Sequence, residues 1–256
     1  MSNNTKRTFI ILAIVILAVA LVASSLTAVY YAGLDQGKTQ NNQSASTNQL
    51  SDYSSNNISQ DIAAMPSEDL SQDEKDSILF MREEEKLARD VYLTLAEKHN
   101  VQVFKNISNS EQTHMDTMKT LIDKYNLTDS VKSDTRGEFT NSELAKLYKD
   151  LVSKGSQNQI EALKVGATIE DLDISDLNKR LLTNNNQDIK LAFEKLRFGS
   201  ENHIRAFVRN LKNQGSDYSP QYISQTDYQA IISSSNTHDN TGQQGGGKGR
   251  NRNIIQ

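Results

Sequence analysis

Residues 71–99 read SQDEKDSILFMREEEKLARDVYLTLAEKH, and this stretch decides the fold class. Ser71 and Glu74 have the spacing of a capping box at a helix start. Apolar side chains follow at steps of three or four with one position skipped, at Ile78, Met81, Ala88, Tyr92 and Leu95. This period is that of an α-helix with one buried face. The stretch therefore predicts a helix from about Gln72 to His99.

Four more helices are predicted before Gly215, over about residues 108–124, 141–155, 156–177 and 186–211. A polar connection at residues 126–140 separates the first two helices from the others. Four long helices with one short helix between them give two helix hairpins joined by a crossover, the connectivity of ferritin-like proteins. The sequence thus predicts an all-α, ferritin-like four-helix bundle with a short extra helix in the central crossover.

Composition excludes several classes of protein. The chain has 256 residues, of which only two are prolines, and this scarcity favours helices over a turn-rich β fold. The net charge of −4 gives no basic footprint for nucleic acid. With no cysteine, the chain has no disulfide, iron–sulfur cluster, thiolate zinc site or rubredoxin-type iron site.

The N-terminal residues predict a membrane anchor or a signal peptide. Lys6 and Arg7 precede a stretch without charge that continues to Leu34. Its length is enough for a spanning helix, while Ala18-Val19-Ala20 resembles a cleavage site. The two basic residues favour a cytoplasmic N-terminus. The domain is therefore expected to be membrane-anchored and outside the cytoplasm, or secreted if the segment is cleaved.

Four regions follow from this distribution of apolar residues. We predict an anchor or signal at 1–34, a disordered Ser/Asn/Gln-rich linker at 35–66, the helical domain at 67–224 and a disordered tail at 225–256. The linker and the tail contain too few apolar residues to bury a core of their own.

Ionisable residues interrupt the apolar face of every long helix. An isolated buried carboxylate costs several kcal/mol, so a group of them needs positive charge nearby. Two divalent cations would supply four positive charges for four carboxylates, and a mixture of carboxylate and imidazole ligands suits iron or manganese. The predicted metal ligands are Glu85, Glu111, His114, Glu170, Asp173 and His203.

Each of these residues also has a structural explanation when it is taken alone. Glu111 could complete a capping box begun by Ser108. Glu85 could lie on a solvated charge run and pair with Arg89. Either histidine could be a hydrogen-bonded core residue, and the two acids of the fourth helix could lie at the surface beside lysines. The six residues together, at these spacings, favour a metal site.

Four segments resemble the DUF2202 family, a ferritin-like group of uncharacterised proteins. They are Met81–Tyr92, Phe104–His114, Ala162–Asp173 and Gly199–Phe207, and the resemblance covers about Asp73 to Ser224.

A wider similarity is to rubrerythrin-type di-iron proteins. Glu85-x-x-Ala-Arg-x-x-Tyr92 and Glu111-x-x-His114 are similar to the first two ligand motifs of those proteins, and Glu170-x-x-Asp173 is similar to the third with aspartate in place of glutamate. Ser200 departs from the fourth motif, which has a glutamate three residues before the histidine. This departure leaves six protein ligands where seven are expected.

The resemblance implies two non-haem iron ions (or iron and manganese) and an oxidoreductase that reacts with O2 or peroxide. A peroxidase would need an external electron donor, whereas a ferroxidase would need only iron and oxygen. Tyr92 is a tentative catalytic residue that could donate a hydrogen bond or an electron, or could simply pack in the core with its hydroxyl bonded to a carboxylate. Two alternatives stay open: a membrane-tethered metal-binding or interaction module without turnover, and a helical domain without metal. A homodimer also stays open.

Overall fold

The computed structural model describes residues 58–234, which form seven α-helices and no β-strand. The helices are α1 (Ile58–Ala64), α2 (Gln72–His99), α3 (Gln102–Lys124), α4 (Ser142–Gly155), α5 (Gln159–Thr183), α6 (Gln187–Asn213) and α7 (Gln225–Ser233). The prediction of an all-α fold is confirmed for these residues. The predicted N-terminal anchor or signal lies outside them. None of the helices in the described part of the chain has both the length and the apolar character that a membrane crossing requires.

The four long helices α2, α3, α5 and α6 form two hairpins that pack against each other. The most extensive helix contacts are those between α2 and α3 and between α5 and α6, and further contacts join α2 to α5 and α3 to α6. Each of these four pairs is antiparallel. Along α2, for example, Ser77 meets Arg180 near the end of α5, whereas Tyr92 meets Glu170 farther back.

The connection between the hairpins runs along α2 and explains why α2 is buried on nearly every side. Lys86 ion-pairs with Asp90 at 2.6 Å and donates to the carbonyl of Thr135 in the connection. Asp90 also accepts from the backbone N–H of Gly137 at 2.9 Å. Glu83 accepts from the backbone of Thr140 at 2.5 Å. These charged residues of α2 thus provide the polar partners of a loop that would otherwise bury its backbone unsatisfied.

The predicted helix boundaries agree with the structure except at two ends. The capping box is present, with Glu74 accepting from the Ser71 N–H at 3.0 Å and Ser71 Oγ accepting from the Glu74 N–H at 3.3 Å. The second helix begins at Gln102 rather than Ser108, and its N-cap residue makes no side-chain cap. The burial of Phe104 explains the earlier start, because packing outweighs the missing cap. The fourth predicted helix extends to Thr183, beyond its expected end at 177.

Two short helices occupy regions that were predicted to be disordered, and the prediction was wrong for these residues. Helix α1 lies in the predicted linker and buries Ile58 and Ile62. Helix α7 lies in the predicted tail and buries Tyr228 and Ile231. Two apolar side chains are enough for a short helix when a larger core is already present to receive them, and an average over thirty residues conceals such a pair. Residues 35–57 and 235–256 lie outside the described part of the chain.

The core consists of two apolar clusters with a polar layer between them. One cluster contains Leu95, Phe104 and Phe207, and the other contains Met118 and Phe193. On each long helix the sequence passes from one cluster to the other through buried polar residues. These residues are Glu84 and Glu85 on α2, Glu111 and His114 on α3, Glu170 and Asp173 on α5, and Ser200 and His203 on α6.

Candidate metal centre

Five buried side chains of the polar layer form two groups that could hold metal ions. One group is Glu85, Glu111 and His114, and the other is Glu111, Glu170 and His203. Within each group, one ligand atom per residue lies within 4.8 Å of the other two. Glu111 belongs to both groups and therefore lies between the two histidines.

His114 completes the first group. Its Nδ1 lies 2.8 Å from Glu111 Oε2 and 3.2 Å from Glu85 Oε2. The opposite edge of the ring lies against α6, where a Cβ on Gly199 would be 2.4 Å from His114 Nε2. The absence of a side chain at Gly199 is therefore what allows the imidazole to lie between α3 and α6.

His203 completes the second group in a geometry that suits a cation better than a hydrogen bond. Its Nδ1 lies 2.8 Å from Glu111 Oε1 and 3.4 Å from Glu170 Oε2. Despite these distances, Nδ1 makes no aligned hydrogen bond to any group in residues 58–234. The other ring nitrogen, Nε2, lies 3.0 Å from Ser110 Oγ, which can accept its proton. Nδ1 then presents a lone pair to the carboxylates, as a metal-ligating imidazole does.

The charges of the centre are strongly coupled. Burial raises the pKa of Glu85 well above its usual value, and burial together with the charge of Glu111 raises the pKa of Glu170. Burial alone would raise the pKa of Glu111 as well, but the two histidines lower it. Burial alone would lower the pKa of His203, but Glu111 and Glu170 raise it to about 9. Protons on the imidazoles thus supply the positive charge in the metal-free protein, and a bound cation would displace them.

Asp173, the sixth predicted ligand, belongs to neither group. Its Oδ2 accepts a hydrogen bond from Ser200 Oγ, and its Oδ1 has no protein partner in the described part of the chain. Ser200, which stands where a glutamate was expected, therefore orients Asp173. The structure thus brings together five of the six predicted ligands and leaves Asp173 beside them.

Tyr92 bridges the centre and one of the apolar clusters. Its hydroxyl donates to Glu170 Oε1 at 2.5 Å and also lies 3.3 Å from the carbonyl of Gly166. Its ring packs against those of Phe104 and Phe207, with centroids 5.9 and 5.3 Å away. This geometry is that of the packing alternative, in which the hydroxyl orients a carboxylate of the site.

Sequence reasoning missed Glu84, because the run Glu83–Glu85 was assigned to a solvated face. Glu84 is 3% exposed, and neither of its carboxylate oxygens has a hydrogen-bond partner within residues 58–234. Burial and then the charge of Asp173 raise its pKa well above the usual value. Its position seven residues after Ser77, on the α2 face that meets α5, was the available signal. Ser110, the partner of His203, carried no comparable signal.

The alternatives that place the predicted ligands at the surface are not what the structure shows. Glu111 lies inside α3 rather than in its first turn. Arg89 pairs with Asp90 and Asp134, not with Glu85. The lysines near the acids of α5 have other partners, at Glu161 and Asp176.

The fold and the site define an all-α protein with a buried carboxylate–histidine cluster. The chain belongs to the family described as "Uncharacterized protein domain (DUF2202)", which matches residues 74–235. It is 57% identical over 174 residues to an uncharacterised protein of Methanocaldococcus jannaschii, MJ0754, in a match that covers 68% of this chain and 94% of that protein. The crystal structure of MJ0754 is similar to this fold with a TM-score of 0.67, over 67% of this chain and 98% of the other.

Proposed function

We propose that this protein is a ferritin-like, rubrerythrin-type metalloprotein that binds two iron ions, or iron and manganese, and reacts with O2 or peroxide. The observation that carries the proposal is the position of Glu111, whose two carboxylate oxygens each lie 2.8 Å from the Nδ1 of a different buried histidine. A carboxylate shared in this way suits a bridge between two cations.

The arrangement of the long helices supports the ferritin-like assignment. Two hairpins joined by one long connection, with every neighbouring pair antiparallel, are the expected organisation of that fold. In such proteins, carboxylates and Glu-x-x-His pairs project from facing helices into the interior. Helix α3 carries one such pair, Glu111 and His114, at the middle of its length.

The donor set favours iron or manganese over calcium. Calcium takes oxygen ligands, whereas each group here includes an imidazole. Three carboxylates in direct contact with two histidines, all in a layer between apolar clusters, are tolerated much more readily with cations among them. Bound iron would supply the redox chemistry with O2 or peroxide, and the chain would supply the geometry.

Each residue of the chain has a distinct part in that geometry. Ser110 fixes the proton of His203 on Nε2, so that Nδ1 is free to bind. Tyr92 donates to one oxygen of Glu170 and leaves the other for the second group. The serine at position 200 removes one ligand, and we propose that this opens a coordination position for the substrate.

Metal content tests the proposal. After anaerobic loading with Fe(II) and removal of free metal, we expect close to two irons per chain. We expect far less in Glu111→Ala, which removes a ligand from both groups, with helicity by circular dichroism unchanged. Asp116→Ala removes an exposed acid from the same helix and serves as the control, with full loading. A wild-type protein that retains no metal, or a Glu111→Ala protein that retains two, would contradict the proposal.

Activity assays then separate turnover from storage. We expect the loaded wild-type protein to accelerate Fe(II) oxidation by O2 or consumption of peroxide, and Glu111→Ala to lose this acceleration. A peroxidase would also need an external donor of electrons. A protein that binds two metals and accelerates neither reaction would be a metal-binding module, the second candidate, which Ser200 favours because it removes an expected ligand.

We also propose that residues 1–34 deliver the domain outside the cytoplasm, as an anchor or as a cleaved signal. Support comes from Lys6 and Arg7 ahead of an uncharged stretch of spanning length. Digestion of the domain by protease added to intact cells is the expected result for the anchored form, and recovery from the medium for the cleaved form. Retention of the whole protein inside the cells would contradict both.

A further inference from the structure

Two buried carboxylates, Glu84 on α2 and Asp173 on α5, lie outside both groups of the proposed centre. They are 3% and 5% exposed. Both oxygens of Glu84 and one oxygen of Asp173 have no hydrogen-bond partner among the described residues. Asp173 is also the acid whose charge acts most strongly on Glu84. Two such carboxylates destabilise the protein by several kcal/mol unless something positive lies between them.

A surface cleft leads toward this pair. It has a volume of about 380 Å³ and lies between α2 and α5, with Asp73, Asp76 and Asp176 among its lining residues. Asp73 and Asp76 are exposed and Asp176 is half-buried. Ser77, which also lines the cleft, is seven residues before Glu84, a distance of about 10 Å along the helix. Acidic side chains therefore continue from the surface, through the cleft, to Glu84.

The basic residues of the cleft have partners of their own. Lys179 pairs with Asp176 at 2.8 Å. Arg180 donates to Ser77 Oγ at 3.0 Å, and its guanidinium lies 4.4 Å from the ring centroid of Phe80. Their charges partly offset that of Glu84 at a distance, but neither residue bonds to it within the described part of the chain.

Charge balance in the polar layer points in the same direction. Three carboxylates, those of Glu85, Glu111 and Glu170, form the two groups, and Glu84 and Asp173 add two more. Two divalent cations supply four positive charges against these five carboxylates. One negative charge then remains, on the side of the layer that faces the cleft.

We propose that Glu84 and Asp173 bind a third divalent cation, with water completing its coordination, on the route from the cleft to the two-metal centre. The proposal rests on the proposed function, because this ion is the one that supplies the centre. The site offers only oxygen ligands, so it fits a hard cation such as Mn²⁺, Mg²⁺ or Fe²⁺ and binds it more weakly than the histidine-containing groups do.

Titration of the full-length protein with Mn²⁺, followed by equilibrium dialysis and metal analysis, tests this proposal. We expect two tightly bound ions and a third, weaker one in the wild-type protein, but only the two tight ions in Glu84→Gln. Glu143→Gln, an exposed acid of α4, is the control and keeps three. Because Glu84→Gln is isosteric and removes an unpaired charge, it is also expected to raise the melting temperature of the metal-free protein.

The outcomes separate this inference from the proposed function. Two ions in both the wild-type and the Glu84→Gln proteins would overturn the third site and leave the centre in place. Three ions in both would place the third ion elsewhere and overturn the assignment to Glu84. No tightly bound ion in the wild-type protein would overturn the centre and the third site together. If Glu84→Gln unfolds, Asp173→Asn takes its place, with the same expected loss of one ion.

Discussion

At the scale of single residues, the centre depends on the direction in which each ring nitrogen points. His203 faces Glu111 and Glu170 with Nδ1 and contacts Ser110 with Nε2. The Nε2 contact selects the tautomer, and with it the atom that is free to bind a metal. A hydroxyl outside the site thus prepares a ligand inside it.

Replacing Ser110 with alanine tests this role. Loss of the Nε2 partner is expected to weaken metal binding at the second group by about 10–100-fold, which is typical for the outer partner of a metal-bound histidine. Competition with a chromophoric chelator measures the change. Ser108→Ala is the matched control, since Ser108 donates only to the carbonyl of Lys105. Equal affinities in the two variants would argue against this role for Ser110.

The pKa of His203 makes the stability of the metal-free protein depend on pH. Burial opposes the charged form, but Glu111 and Glu170 raise the pKa from 6.5 to about 9. A raised pKa stabilises the fold in full below about pH 6.5, and this contribution is lost as pH rises through about 9. The raised pKa values of Glu85 and Asp173 act in the same direction. Glu111, whose pKa is lowered, acts only under acidic conditions.

Thermal unfolding in the presence of EDTA checks this dependence. We expect the melting temperature to fall by on the order of 10 °C between neutral pH and about pH 9, because roughly 3 kcal/mol from His203 alone is at stake. With metal bound the trend should reverse, since the metal displaces protons from the histidines. A melting temperature of the metal-free protein that rises over this interval would contradict the assigned charges.

At the scale of helices, two glycines set how closely neighbouring elements approach. A Cβ on Gly199 would lie 2.4 Å from His114 Nε2, and one on Gly166 would lie 2.5 Å from the ring of Phe207. Gly199→Ala should therefore displace the imidazole and empty the first group, so that bound metal falls from two ions per chain toward one. Gly166→Ala should lower stability while it keeps both ions. The same metal content in the two variants would contradict this distinction.

The segment after α6 is attached to α5 by a single buried carboxylate. Asp171 accepts from the hydroxyl of Tyr218 at 2.7 Å and from the backbone N–H groups of Gln221, Tyr222 and Ile223 at 2.5, 3.1 and 2.9 Å. Hydrogen bonds to a buried charge are among the stronger ones, so their loss affects stability directly.

Asp171→Asn should lower the free energy of unfolding by about 2–4 kcal/mol, because three backbone donors lose a charged acceptor. Urea denaturation measures this loss, and hydrogen exchange should show less protection in residues 216–234. Asp217→Asn, an exposed acid in the same segment, should leave both unchanged. Normal protection of this segment in Asp171→Asn would show that its attachment depends on other contacts.

The sequence predicted the elements better than it predicted the environments of charged residues. Capping residues and apolar period located α2 and α4 because both signals are local. The burial of Glu84 depends on α5, and that of Lys86 and Asp90 depends on the connection at residues 125–141. A charge run does not indicate which distant segment will cover it. The same reason explains Asp173, since only the position of Ser200 determines where its carboxylate turns.

At the scale of the whole molecule, the polar layer separates two apolar clusters that together contain most of the buried hydrophobic residues. The clusters stabilise the fold and hold the carboxylates and imidazoles where water has little access. In the metal-free protein, protons on the two histidines provide the balancing charge. Metal binding replaces those protons with cations, so folding, proton release and metal affinity are linked.

Anomalous diffraction from crystals of the protein loaded with Fe(II) under anaerobic conditions tests the central claim most directly. Two strong peaks are predicted inside the polar layer, one at Glu85, Glu111 and His114 and the other at Glu111, Glu170 and His203, with the carboxylate of Glu111 in contact with both. An interior without a peak, or one in which Glu111 and its neighbouring carboxylates face solvent, would contradict the claim.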